Sequence, residues 1–212
     1  MKKYLLVTTL VIVSLGAYSQ NIKIFAHSGY TFGDKFPIYG GSGKIYDGHT
    51  FGGSIAYQIS PVYEVEFSYT YQDSRIVVQS VASNIDINSI ASINYFLIGT
   101  NRILPLSESF DLFAGVKIGA VNYASKAADF NNVTKFAVGI NAGMSYFFSP
   151  VVGLRVQANL NFPVIDVGAN LWWSSGGNTS VGVSSYSPII QFGFAGGLVF
   201  KLSPQSNTDR KL

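Results

Sequence analysis

Apolar and small or polar residues alternate over most of this chain. From Ile190 to Leu202, the even positions carry Ile, Phe, Phe, Gly, Leu, Phe and Leu, and the odd positions carry Gln, Gly, Ala, Gly, Val and Lys. A period of two predicts a β-strand, because successive side chains of a strand point to opposite faces. The same pattern predicts seven more strands, two of them less regular because Phe25, Phe96 and Ile98 fall on the polar side. These strands lie at residues 21–30, 54–59, 63–72, 91–104, 110–119, 135–146 and 152–162.

The connections between the predicted strands fall into two classes. The short ones contain proline, which ends a ladder because it has no N–H to donate, and the long ones are rich in Gly, Asp, Asn and Ser. Short connections are predicted at 59–62, 104–109, 149–151 and 203–204, and long ones at 31–48, 73–89, 124–133 and 166–187. Short and long connections alternate, which predicts eight antiparallel up-and-down strands with both chain ends on the short-turn side. The third, fourth and seventh strands look longer than a membrane span requires.

The two faces of these strands differ in a way that favours a membrane barrel over a soluble sandwich. One face is aromatic and aliphatic, whereas the other carries Gly, Ala, Ser, Asn and Gln with isolated charges. Charged residues make up 12% of the chain, about half of the roughly 25% in an average soluble domain. A soluble sandwich would need a charged outer face, whereas a membrane barrel presents an apolar band to lipid and a polar interior. The sequence therefore predicts an all-β, antiparallel, up-and-down transmembrane β-barrel.

Aromatic residues are predicted to form girdles at the two membrane interfaces, as is usual in such barrels. The candidates on the loop side are Tyr30, Tyr69, Tyr71, Tyr123, Trp172 and Tyr186. The candidates on the turn side are Tyr57, Tyr63, Phe110, Tyr146, Phe148 and Phe200.

The N-terminus has the pattern of a secretory signal peptide. Lys2 and Lys3 precede a short apolar run at 4–15, and the small-x-small motif at 17–19 predicts cleavage after Ser19 or after residue 20. The predicted organisation is a signal peptide at 1–19, a barrel domain at 20–202 and a polar tail at 203–212. Without the two leader lysines the chain has 12 basic and 11 acidic residues. No basic cluster remains that would indicate a nucleic-acid partner.

These features resemble the small eight-stranded outer-membrane β-barrel family, which includes the transmembrane domain of outer-membrane protein A and the OmpX and opacity-type proteins. The resemblance covers the whole mature chain, and the terminal strand at 192–202 looks like the assembly signal of that family. Such barrels commonly end on an aromatic residue, whereas here a polar tail follows Leu202. The resemblance implies location in an outer membrane of the Gram-negative type.

Several charged residues are predicted to face the lumen, mostly towards the turn side. An eight-stranded barrel has an interior just wide enough for side chains to fill, and buried charges must be paired. We therefore favour a salt-bridged plug over a charged constriction in a narrow pore. Small residues in the loop half, such as Gly29, Gly52 and Asn159, predict a water-filled vestibule above the plug. The predicted lumen charges are Lys23, Glu64, Glu66, Arg102, Asp111, Lys117, Arg155 and Lys201.

The sequence offers no catalytic or metal-binding constellation. It has no cysteine and two histidines, His27 and His49, which do not make a ligand set. Ser28 follows His27 but points to the other face of the strand, so the two do not form an aligned nucleophile and base. The run 40–44, GGSGK, lacks the flanking strand, helix and spacing of a phosphate loop. We expect no enzyme activity and no cofactor.

The long loops are the best candidates for function. The predicted role is structural, or a surface interaction such as adhesion or binding. The expected partners are membrane lipid and a surface protein, glycan or ligand, and the barrel is expected to be a monomer. A narrow porin-like channel or a conduit for hydrophobic ligands is the alternative. Trp172 and Trp173 are favoured as lipid-interface anchors. Candidate loop contacts are Phe36, Tyr39, Tyr46, Trp172, Trp173 and Tyr186.

Overall fold

A computed structural model describes residues 21–38, 41–80, 85–125, 132–164, 170–171, 181–182 and 189–202 of the chain. The described residues form twelve β-strands. They are β1 (Ile22–Thr31), β2 (Asp34–Ile38), β3 (Gly41–Ile45), β4 (Gly48–Ser60), β5 (Tyr63–Ser80), β6 (Ile85–Pro105), β7 (Phe110–Ser125), β8 (Val133–Phe147), β9 (Val152–Val164), β10 (Asn170–Leu171), β11 (Val181–Gly182) and β12 (Gln191–Lys201). Across these ranges, no helix is long and apolar enough to cross a membrane.

Eight of the strands close into an antiparallel barrel in the order β1-β4-β5-β6-β7-β8-β9-β12. The first and last of them pair directly, with Lys23 opposite Lys201 and Thr31 opposite Gly193. Closure removes the sheet edges, so the backbone of each wall strand can pair on both sides, as a membrane interior requires. The predicted fold class, an all-β up-and-down barrel of eight strands, is confirmed.

The turn side of the barrel agrees with the sequence. The connections β4–β5, β6–β7 and β8–β9 contain two, four and four residues, at 61–62, 106–109 and 148–151. The third and fourth wall strands, β5 and β6, are long, with 18 and 21 residues. The seventh, β9, has 13 residues, no more than β4.

The loop side contains more strand than the sequence predicted. Most of the predicted loop at 73–89 is paired, from Asp73 opposite Ser92 to Ser80 opposite Ile85. The predicted loop at 31–48 contains the β2–β3 hairpin, and β3 pairs with the end of β5. We call β2, β3 and the ends of β5 and β6 (residues 76–80 and 85–89) the loop-side sheet. This sheet continues the barrel wall beyond its eight-stranded part.

Strand β6 faces the opposite way from the prediction. Phe96 and Ile98 point outward, whereas Tyr95, Leu97 and Asn101 are buried in the lumen. In this orientation Phe96 and Ile98 lie on the lipid-facing side, and the inward Tyr95 and Asn101 form hydrogen bonds. Arg102 belongs to the outward set and is exposed. Its placement in the lumen was therefore wrong.

The predicted aromatic girdles are mostly outward. On the turn side, Tyr57, Tyr63, Tyr146 and Phe148 are exposed. On the loop side, the prediction that Tyr123 belongs to the girdle was wrong, because its side chain is buried in the lumen. It lies on the same face of β7 as Lys117, six residues earlier, since positions an even number apart share a face.

Gly197 permits close pairing of β12 with β1. A Cβ atom built there would lie 1.9 Å from the carbonyl oxygen of Ala26, whereas at Gly196 the nearest atom would be 3.8 Å away. We therefore expect Gly197→Ala to reduce the yield of folded barrel severalfold, because it forces apart the two strands that close the barrel. Gly196→Ala, one position along, should fold normally. Heat-modifiable gel mobility measures the folded fraction, and equal yields for the two variants would contradict this prediction.

Candidate functional site

The described part of the lumen contains two large buried layers of different chemistry, besides a small hydrophobic cluster of Phe25, Phe147 and Val199. Towards the turn side lies a group of ionic and amide side chains, which we call the polar plug: Lys23, Glu64, Glu66, Asn101, Lys117, Asn141 and Arg155. Towards the loop side lies a cluster of hydrophobic side chains, which we call the apolar cap: Ile45, Ile76, Ala91, Ile93, Tyr95, Leu97, Val121, Tyr123, Ala137 and Ile189. Alternation places both layers inside, because every second residue of each wall strand faces the lumen.

Two glutamates on β5 are the centre of the polar plug. Arg155, on the opposite wall, lies 2.9 Å from Glu66 (Nη2 to Oε2) and 3.8 Å from Glu64 (Nη1 to Oε1). Lys23 Nζ lies 2.9 Å from Glu64 Oε2, and Lys117 Nζ lies 3.1 Å from Glu66 Oε1. Each carboxylate therefore faces two cations, which offsets the cost of burying it.

Amide side chains connect the ionic groups. Asn101 Nδ2 donates to Glu64 Oε1 at 3.0 Å and also to Glu66 Oε2. Asn141 Nδ2 donates in turn to Asn101 Oδ1 at 3.0 Å, and Arg155 Nε donates to Gln157 Oε1 at 3.2 Å. Sequence reasoning missed Asn101 because it assigned β6 the wrong face. The network joins β5, β6, β8 and β9 across the lumen.

Aromatic rings enclose the guanidinium of Arg155. Its Cζ lies 3.9 Å from the ring centroid of Phe113 and 4.9 Å from that of Phe25. A ring face attracts a cation, more strongly where water is excluded. This contact explains why Phe25 and Phe113 occupy inward positions that are otherwise polar.

The structure brings together five of the eight predicted lumen charges: Lys23, Glu64, Glu66, Lys117 and Arg155. Asp111 is buried on β7, but no ion pair joins it to the plug within the described residues. Lys201 is half-buried, with its Nζ 3.4 Å from the ring centroid of Phe147. Arg102 lies on the outer wall, as described above.

A small polar cavity of about 30 Å³ lies between the plug and the cap, and its lining includes His27, Thr70, Lys117 and Asn159. It has room for about two water molecules. His27 stacks on Phe25 with 5.1 Å between ring centroids. The predicted water-filled vestibule is therefore reduced to this small cavity, because the hydrophobic side chains of the apolar cap occupy the lumen on its loop side.

The apolar cap includes residues that the sequence assigned to loops. Ile45 of β3 and Ile76 of β5 lie in the predicted loops at 31–48 and 73–89, and Ile189 lies just before β12. Tyr95 Oη donates to Gln191 Oε1, and Gln191 Nε2 donates to Gln72 Oε1 at 3.3 Å. These bonds satisfy polar groups at the edge of the cap. Distant parts of the chain therefore close the loop end of the lumen.

The structure places the predicted loop-contact residues in different surroundings. Phe36 is partly buried and packs against the apolar cap. Tyr46 is half-buried, with Lys44 Nζ 3.9 Å from its ring centroid. Tyr39, Trp172, Trp173 and Tyr186 lie outside the described residues, as do the predicted signal peptide and polar tail.

The described residues contain no group of three His, Asp or Glu side chains arranged to hold a metal ion. Ser28 faces outward and His27 inward, so the pair stands on opposite sides of the wall. The polar side chains of the plug are held together by ion pairs and hydrogen bonds.

Comparison with known proteins supports the fold. The crystal structure of Neisserial surface protein A has a TM-score of 0.57 and 14% identity, covering 85% of this chain and 96% of that one. The crystal structure of the outer membrane protein OprG from Pseudomonas aeruginosa has a TM-score of 0.52 and 8% identity, covering 86% and 96%. No family model and no curated protein matches the sequence. The chain thus has the fold of the small eight-stranded outer-membrane barrels.

Proposed function

We propose that this protein is a non-conducting, non-catalytic barrel of the outer membrane that acts through its loop-side surface, by binding a surface protein, glycan or other ligand. The observation that carries the proposal is the closure of the lumen at two levels, by the polar plug and by the apolar cap. A lumen filled in this way provides rigidity rather than passage. The outer-membrane location is supported by the fold shared with Neisserial surface protein A and OprG.

The loop-side sheet supplies a surface for such binding. Strands β5 and β6 remain paired as far as Ser80 and Ile85, and the β2–β3 hairpin adds two further strands. A paired sheet holds its side chains in fixed positions, which lowers the entropy lost on binding.

Conductance tests the closed lumen. We expect the purified barrel in a planar bilayer to show no steady conductance, and Arg155→Ala to leave it closed because the apolar cap remains. Steady conductance of the unmodified barrel that changes in Arg155→Ala would contradict the proposal and favour the narrow channel.

Surface binding needs its own test. Cells displaying the protein should adhere to, or capture, a partner. This binding should be lost when residues 34–45 are replaced by a short Gly-Ser turn. The matched control replaces the turn-side residues 107–109 in the same way. Equal binding by both variants would contradict a role for the loop-side sheet.

A further inference from the structure

An open groove of about 600 Å³ lies on the outer wall, where β3 ends and β4 begins beside β5. Its lining includes Asp47, His49, Phe51, Asp73, Arg75 and Ile90. The volume lies in the range of sites for small molecules, roughly 300–1,000 Å³. The groove is separate from the lumen, because Asp73, Arg75 and Ile90 point outward.

The position of the groove relative to the membrane follows from β5. Its outward side chains are Tyr63, Val65, Phe67, Tyr69 and Tyr71, followed by Asp73 and Arg75. The five apolar and aromatic positions span about 26 Å along the strand. Because the strands of such barrels are tilted, this length covers most of an apolar band about 25 Å tall. The first charged positions therefore lie just above the loop-side aromatic girdle, at the level of lipid headgroups.

The charges of the groove are available to a ligand. Asp73 and Arg75 lie two residues apart on one face, yet neither side chain has an ion pair or hydrogen bond to another described residue. Asp47, held by a hydrogen bond from Tyr30 Oη, adds a second carboxylate. The groove thus offers one cation and two anions, above the apolar surface of Phe51, which lies opposite Tyr71, and level with Ile90, which pairs with Arg75.

We propose that this groove binds a membrane lipid with a zwitterionic headgroup, with Arg75 on the phosphate and Asp73 and Asp47 on the ammonium. A carboxylate and a guanidinium on one face complement a headgroup that carries both charges, and charge-assisted hydrogen bonds are the stronger kind. The acyl chains lie below, along Phe51 and the lipid-facing wall. A purely anionic headgroup would meet two carboxylates and one arginine, which disfavours it.

Native mass spectrometry of the full barrel in detergent tests this assignment with two lipids of identical chains, phosphatidylethanolamine and phosphatidylglycerol. We expect roughly tenfold tighter binding of phosphatidylethanolamine, the effect of about one charge-assisted hydrogen bond. Asp73→Asn should reduce the preference severalfold, since Asp47 remains, and Arg75→Gln should weaken the binding of both lipids. Equal affinity for the two lipids, or a preference unchanged in Asp73→Asn, would overturn the proposal.

Two controls make the result specific. Arg102→Gln removes another outward arginine, on the turn side, and should leave the preference unchanged; a loss of preference there would count against the groove. Glycerophosphoethanolamine has the same headgroup without acyl chains, and should fail to displace the lipid at equal concentration. Efficient displacement would show that the site takes a soluble zwitterion rather than a lipid. Heat-modifiable gel mobility establishes that each variant is folded.

Discussion

Replacing Arg155 with methionine is expected to lower the free energy of unfolding by about 3–5 kcal/mol, the usual cost of removing one partner from a buried ion pair. Glu66 would lose a guanidinium at 2.9 Å and keep Lys117 at 3.1 Å, and Glu64 would lose the same group at 3.8 Å. The free energy of unfolding is measured by urea unfolding in detergent or lipid, with far-ultraviolet circular dichroism reporting the loss of strand.

Two further variants separate charge from shape. Arg155→Lys keeps the cation and should recover part of the loss. Adding Glu66→Gln to Arg155→Met should add to the loss, because the buried Lys117 then loses the carboxylate that it contacts at 3.1 Å. A loss below about 1 kcal/mol for Arg155→Met, the range of exposed ion pairs, would mean that the plug is hydrated and would contradict its role as a seal.

Truncating the apolar cap is expected to have the second largest effect. Ile93 is fully buried on β6, and Ile93→Ala should cost about 2–5 kcal/mol, as core truncations of this size do. Ile98 lies on the same strand but faces lipid and is half exposed. Ile98→Ala should cost less than half as much, because acyl chains can fill the space that the side chain leaves.

The same urea experiment compares the two isoleucines. If Ile98→Ala were as destabilising as Ile93→Ala, the cap would not be a packed core. In that case the loop end of the lumen would be loosely filled, and the closed-lumen proposal would rest on the polar plug alone.

Most of the barrel could be predicted from the sequence because its signal is local. Alternation from Ile190 to Leu202 fixes which face of β12 meets lipid, and the prolines at 61 and 150 mark turns between neighbouring strands. The prediction was wrong for β6, where apolar residues occupy both faces of the strand. The prediction placed Phe96 and Ile98 inward, and it therefore placed Arg102 inward too. An error of one position in a strand exchanges its inward and outward side chains.

The candidate site could be predicted less well, because it depends on contacts between distant strands. The sequence indicated that Glu66 and Arg155 face inward, but it could not indicate that their side chains lie 2.9 Å apart although the residues are 89 positions apart in the chain. Nor could it indicate that Ile45 and Ile189 would close the loop end, since both lie in segments without a clear strand pattern.

The sequence by itself determined the kind of molecule: alternation, low charge and alternating connection lengths are sufficient for an eight-stranded membrane barrel. The tertiary structure decided what the barrel contains. Strand tilt and register set which inward side chains meet, and they bring Arg155 to two glutamates on the opposite wall. They also place Asp73 and Arg75 beside a groove at the membrane boundary. Those contacts depend on the closure of the sheet, and a one-dimensional pattern does not carry that information.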